Sequence, residues 1–368
     1  MKISRRQFLV YAGAGVAGSL LAQFWWLKLS GKAGISLLEK NSNWAVVAGS
    51  QTASLDNGLP ISPRLEFAYN LQHKSIPLNH EAHGFIQKGK ERVLVSLPKE
   101  AKLASRLTWI DDFNGVELTE FSPINEHIFY GHGADSGDFF WTVEVNGQNT
   151  TLVCRDWNTL KVVTQHTFNE AGHDLVKLGD KLYYCVGNPY DSLKSKILVI
   201  EEKSGKVLDT IVTLDRNLVL RHLHLTPSND LFVLTHHKDQ IDKPILLAPF
   251  LLSTQNHSLK DFAIDTRVAK PQAFVGQLLS CCFESKTNTV WTTCPNGNAV
   301  HGWSLDTFTL TASFMGVTPS IITEDSVGSI VAYSSKGSVS PLLVSGADNN
   351  KISSEFLPRG SHSLTLNL

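Results

Sequence analysis

The feature that most constrains this chain is a strand cassette that recurs along it. Short runs rich in Val, Ile, Thr, Phe, Tyr and Trp follow turns of Gly, Asn, Asp and Ser, and they begin at Trp44, Arg92, Phe139, Lys181, Asp230, Thr289 and Ser329. Alternation of apolar and polar residues inside such runs is the mark of half-buried strands. The starts lie about 40 to 60 residues apart, which leaves room for about four strands per unit, the repeat of propeller blades. Beyond residue 40 no long stretch has the i, i+3, i+4, i+7 pattern of a helix. The spacing predicts an all-β fold, a seven-bladed β-propeller. A pair of β-sandwiches is also all-β but does not call for a repeated turn-plus-strand cassette.

Each of several cassettes carries a histidine just upstream, opening a short apolar stretch. These are His83, His132, His173 and His222, separated by 49, 41 and 49 residues. The next two cassettes have Gln277-Leu278-Leu279-Ser280 and Pro319-Ser320-Ile321-Ile322 at that place. His362 restores the histidine at the C-terminus, where no further blade follows. That final stretch is therefore expected to be the inner strand of the first blade, closing the ring and protecting its edges. Trp109, Trp141, Trp157, Trp291 and Trp303 fall on strand runs and are expected between blades.

Ahead of the repeats stands Ser4-Arg5-Arg6-Gln7-Phe8-Leu9, followed by an uncharged stretch to Leu27. Paired arginines before a moderately apolar segment look like a twin-arginine export signal. Phe8 to Leu27 is 20 residues, which as a helix would just cross a hydrocarbon core of about 30 Å. Residues 1–34 are read as signal or membrane anchor and 35–368 as one propeller domain, placed in the periplasm, with membrane contact only through the leader if it is retained. Cleavage is left open. The balance of 33 Lys+Arg against 34 Asp+Glu excludes a global bias toward nucleic acid. Five cysteines are no disulfide framework. Cys281 or Cys282 could pair with Cys294 across a hairpin, against the simpler reading of buried thiols.

The blocks His80-Glu81-Ala82-His83-Gly84, Phe129-Tyr130-Gly131-His132-Gly133-Ala134 and Ala171-Gly172-His173-Asp174, behind the twin-arginine leader, resemble the uncharacterised bacterial family DUF1513. The resemblance runs from the leader to the last strand. It implies an exported, seven-bladed propeller-like protein, often encoded beside imelysin-type and iron-uptake proteins, and carries no reaction with it. Ala171-Gly172-His173-Asp174 departs from the usual Pro-His-Glu of that family.

In a propeller the innermost strands line a central channel, so residues repeated at their starts converge. His83, His132, His173, His222 and His362 then form an incomplete ring, with His224 two residues along the strand from His222 and projecting to the same side. Glu81 and Asp174 stand beside the ring in sequence. Neutral imidazoles are ligands for zinc, copper or iron, and nearby carboxylates can orient them. The competing duty is structural, hydrogen bonding around a water-filled channel. His236-His237, Asp111-Asp112 and Glu201-Glu202-Lys203 read as solvated strand ends. There is no Gly-x-Ser-x-Gly, Gly-rich phosphate loop or Cys-x-x-Cys, and so no hydrolase elbow, nucleotide site or covalent haem. The expected function is metal, metal-ligand or partner binding at the histidine mouth by a monomer, accessory to iron acquisition. The alternatives are a propeller metalloenzyme, either a lactonase-like hydrolase or a copper or iron redox enzyme, and an interaction scaffold.

Overall fold

In the computed structural model the described residues are 44–50, 63–69, 72–110, 115–187, 195–213, 217–237, 246–315, 319–324, 330–334, 342–345 and 363–367. The leader with Arg5 and Arg6, the pair Asp111-Asp112, and His362 lie outside them. The strand runs named above form antiparallel sheets, most of them built from consecutive strands, and among the described residues the sole helical turn is the short 3-10 segment Pro271–Phe274.

The expectation of seven blades is corrected. Five sheets are four-stranded blades, one sheet has five strands and another has three. The cassette marks where a unit begins but says nothing about strand number. The three-residue strand Lys99–Ala101 leaves its own unit and pairs with Ile128–Ser136 of the next, Lys99 standing opposite Tyr130. The sheet of Pro319–Glu324, Ile330–Ser334 and Leu342–Ser345 has no fourth strand among the described residues. Ser363–Asn367 pairs with Trp44–Ser50, Trp44 opposite Asn367 and Ala48 opposite Ser363.

Apolar clusters alternate with the sheets. Ala134, Trp141 and Leu152 pack against Leu175, Leu182 and Ile200 of the following sheet. Tyr183, Cys185 and Val199 meet Leu220, Leu223 and Val233, and Trp291 and Val300 meet Ile322 and Ile330. Each large side chain fully buried this way contributes roughly 1.5–3 kcal/mol. All five tryptophans named above are buried in such clusters.

Polar clasps reinforce the seams. Glu202 was expected in a solvated turn, yet its Oε1 accepts hydrogen bonds from Ser136 Oγ at 2.6 Å and Trp141 Nε1 at 2.8 Å, both on the preceding sheet. Asp135 likewise accepts from Trp157 Nε1 at 3.0 Å and from the Gly89 N–H of the sheet before it at 3.0 Å. The five cysteines are free thiols. Cys281 stands opposite Thr292, two residues before Cys294 on the facing strand, and the alternative of a disulfide across this hairpin is not formed.

Candidate metal centre

The first strands of successive sheets lie beside one another around the axis. Four of them bring histidines there: His83 precedes Gly84–Gln87, His132 lies in Ile128–Ser136, His173 in Gly172–Leu178 and His222 in Leu218–Leu225. His132 is the hub. Its ring centroid is 5.2 Å from that of His83, 4.6 Å from His173 and 5.0 Å from His222. The His173 and His222 centroids are 4.8 Å apart.

Local backbone irregularity makes the convergence feasible. Between Gly133, opposite Thr142, and Phe129, opposite Glu144, three residues including His132 face one partner residue. Between Gly172, opposite Val186, and Leu175, opposite Tyr184, His173 and Asp174 face one. Between Leu220, opposite Thr235, and His222, opposite Leu234, Arg221 is the extra residue. An extra residue resets the in-out alternation and re-aims the side chains beside it. Gly131 has φ +89, and a Cβ there would lie 2.3 Å from His83 Cδ2. A Cβ on Gly84 would lie 1.8 Å from the Gly131 carbonyl oxygen. Only glycine lets these strands come close enough for His83 and His132 to meet.

Two ligand groups share His132. His83, His132 and His173 form one, and His132, Asp174 and His222 the other, each with donor atoms within 4.8 Å of one another. Asp174 is held by the Leu175 N–H at 2.7 Å on its own strand and the Leu223 N–H at 2.9 Å on the next sheet. Its Oδ1 lies 3.3 Å from His132 Nδ1 and its Oδ2 3.7 Å from His222 Nδ1. His132, Asp174, His222 and His224 line a cavity of about 190 Å³. His224 thus reaches the site but belongs to neither ligand group.

Electrostatics keep His83, His132, His173 and His224 neutral. Burial, then the charges of Lys99 and Arg221, holds His83 down at about 3. Burial does most of the same for His132, with His83, Arg221, His224 and Lys99 adding to it. Burial and then Arg221 hold His173 well below the usual range, and burial alone puts His224 at about 4. Burial pushes Asp174 up to about 7, against the Leu223 and Leu175 N–H groups and Arg221, which favour the carboxylate. The His132–Asp174 contact is therefore not an imidazolium–carboxylate ion pair. His173 is 2% exposed, and neither of its ring nitrogens has a hydrogen-bond partner among the described residues. Neutral imidazoles with donor atoms turned toward one another are what a zinc, copper or iron ion requires.

His236 and His237 are corrected from solvated to buried, at 6% and 5% exposure. His236 bridges to Gln277, and burial, then Arg221 and His237, hold it at about 3. The strand Leu231–His237 runs antiparallel to Leu218–Leu225, with His237 opposite Leu218, so its end lies beside the start of the histidine strand. Three residues of the surroundings escaped sequence reasoning. Tyr130 places its ring 5.5 Å from that of His173, Lys99 Nζ lies 5.9 Å from the Tyr130 centroid, and Arg221 acts on His83, His132 and His173 as well as on His236. Arg221 immediately precedes His222 and could have been noticed. Lys99 could not, because its strand crosses to another sheet.

No family model matches the sequence, and neither does any curated protein. Among solved structures the chain is similar to the Cps50 (Swd1) β-propeller domain of Myceliophteria thermophila, at 12% identity and TM-score 0.52 over 74% of this chain and 88% of that one. It is also similar to Kuenenia stuttgartiensis hydrazine synthase, at 11% identity and TM-score 0.58 over 76% and 89%. Identities this low speak to architecture alone. The chain has a β-propeller fold.

Proposed function

We propose that this chain binds a transition metal ion, or a ligand carrying one, at the histidine end of its propeller axis, and does so as an exported binding protein rather than an enzyme. One observation carries the reading: four histidines from four successive sheets meet with ring centroids mostly 4.6–5.2 Å apart, and burial holds those with shifted pKa values in the neutral, ligating form. His83, His132 and His173 are the ligands, with Asp174 orienting His132 as carboxylates do around metal-bound imidazoles. The Arg5-Arg6 leader supports export by the twin-arginine route, and the resemblance to DUF1513 supports a role beside imelysin-type iron-uptake proteins. Fractionation of cells carrying Arg5→Lys with Arg6→Lys tests the address, since undiminished export would contradict it.

The binding test uses protein purified without a histidine tag. Zinc, copper(II) or iron(II) at a hundredfold excess over its dissociation constant should stabilise the wild type by about 2.7 kcal/mol. The His132→Ala/His173→Ala variant should lose that shift. An equal shift in both proteins would contradict the assignment.

A further inference from the structure

We infer that the centre holds iron(II) at a position of its own, on His132, Asp174 and His222, where the neighbouring cavity leaves coordination positions open to a small neutral ligand. This rests on the metal reading above and deepens it: His83, His132 and His173 remain the position for zinc or copper, and His132 serves one ion at a time.

The topology places the three donors together. Gly172–Leu178 packs between Ile128–Ser136 and Leu218–Leu225, so Asp174 stands between the strands that carry His132 and His222. Its Oδ1 lies 3.3 Å from His132 Nδ1 and its Oδ2 3.7 Å from His222 Nδ1. Ligands about 2.0–2.2 Å from a common ion stand about 3–3.5 Å apart, so a small movement of His222 completes the set. The carboxylate itself is fixed from two sheets, Oδ1 accepting the Leu175 N–H at 2.7 Å and Oδ2 the Leu223 N–H at 2.9 Å. Each oxygen keeps a second acceptor site for a metal.

The donor chemistry separates the two groups. Two imidazoles and a carboxylate on one side of an ion are the ligand set of non-haem iron(II), whereas three imidazoles suit zinc or copper. Their surroundings differ as well. His132, Asp174 and His222 line the cavity of about 190 Å³, and His83 and His173 are not among its lining residues. A water takes up only about 30 Å³, so several waters or a diatomic molecule fit beside the ion. Phe85, Leu175, Val176 and Leu223 make the remaining wall largely apolar, which favours a neutral ligand over an anion. His224 is also on that wall, and its buried Nε2 has no hydrogen-bond partner among the described residues. It supplies a donor or acceptor to whatever the iron holds.

The test uses the untagged full chain in oxygen-free buffer, with iron(II) and zinc affinities measured separately by competition with a chelator. Nitric oxide then probes the iron-loaded protein by electron paramagnetic resonance. Wild type should bind both metals and give the high-spin ferrous nitrosyl signal, which needs an open position on the iron. His222→Ala should lose iron affinity at least about tenfold, the loss that even an outer-shell change brings, and keep its zinc affinity. His83→Ala should do the reverse. If His222→Ala does not fold, Asp174→Asn takes its place and should lose more iron affinity than zinc affinity. Iron affinity that follows zinc in His83→Ala and ignores His222→Ala, or iron-loaded wild type without a nitrosyl signal, overturns the inference and leaves the metal reading intact. Failure of wild type to bind either metal overturns both.

Discussion

His132 belongs to both ligand groups and touches Asp174 through Nδ1, so its position decides whether the centre exists. That position depends on Gly131, whose positive φ and bare α-carbon leave space for the His83 ring. Gly131→Ala should cost about 1–3 kcal/mol in urea unfolding, from backbone strain and the clash together, and should weaken metal binding more than it weakens the fold. Proton linkage gives a second test. Burial holds His83 at about 3 and His224 and His301 at about 4. Their unfolded counterparts protonate near 6.5, so the stability these residues confer is complete above that pH and is lost as pH falls through 6.5 toward 4. Asp174 acts oppositely: folded it keeps its proton to about 7, against 3.8 unfolded, so its contribution fades as pH rises from 3.8 to 7. Each group changes stability by at most about 1.4 kcal/mol per pH unit, and the histidines outnumber the aspartate. The urea midpoint of metal-free protein should therefore drop between pH 7 and pH 5, and drop more steeply in Asp174→Asn, where the opposing group is gone. A midpoint flat over that range would show the histidines to be solvated.

At the scale of elements, the seams between sheets combine apolar clusters with clasps. Glu202→Ala would leave the Trp141 indole N–H without its acceptor, at an expected cost of about 1–3 kcal/mol. Pairing it with Trp141→Phe should give a combined loss smaller than the sum of the single losses, read as a double-mutant cycle. Removal of residues 361–368 deletes the strand paired with Trp44–Ser50. The exposed edge should cause aggregation, and a truncated protein that stays soluble with an unchanged melting temperature would contradict this. Strand type was legible in the sequence because period-two alternation and turn residues report local physics. The number of strands per unit was not, since a three-residue crossing strand such as Lys99–Ala101 has no pattern of its own. The meeting of His83, His132, His173 and His222 could be read from repeat spacing. The bulges that aim His132, His173 and Arg221 could not, because register depends on the partner strand. His236 was misread because a polar pair at a strand end looks solvated until the neighbouring sheet covers it.

At the scale of the molecule, a chain of almost zero net charge gathers four histidines at its axis, with the charges of Lys99 and Arg221 bearing on His83 and His132. Global composition hides this, since Lys99 and Arg221 are two of 33 basic residues. The histidines come from four successive sheets, so the centre exists only when those sheets are correctly seated against one another. The same dependence makes the centre a reporter of the fold. The most direct test is anomalous diffraction at the zinc edge from crystals of the untagged protein grown with zinc. The account predicts one strong peak bonded to nitrogens of His83, His132 and His173 at about 2.0–2.1 Å, with Asp174 beside it; no peak at this position, or a peak bound only by surface residues, would contradict it.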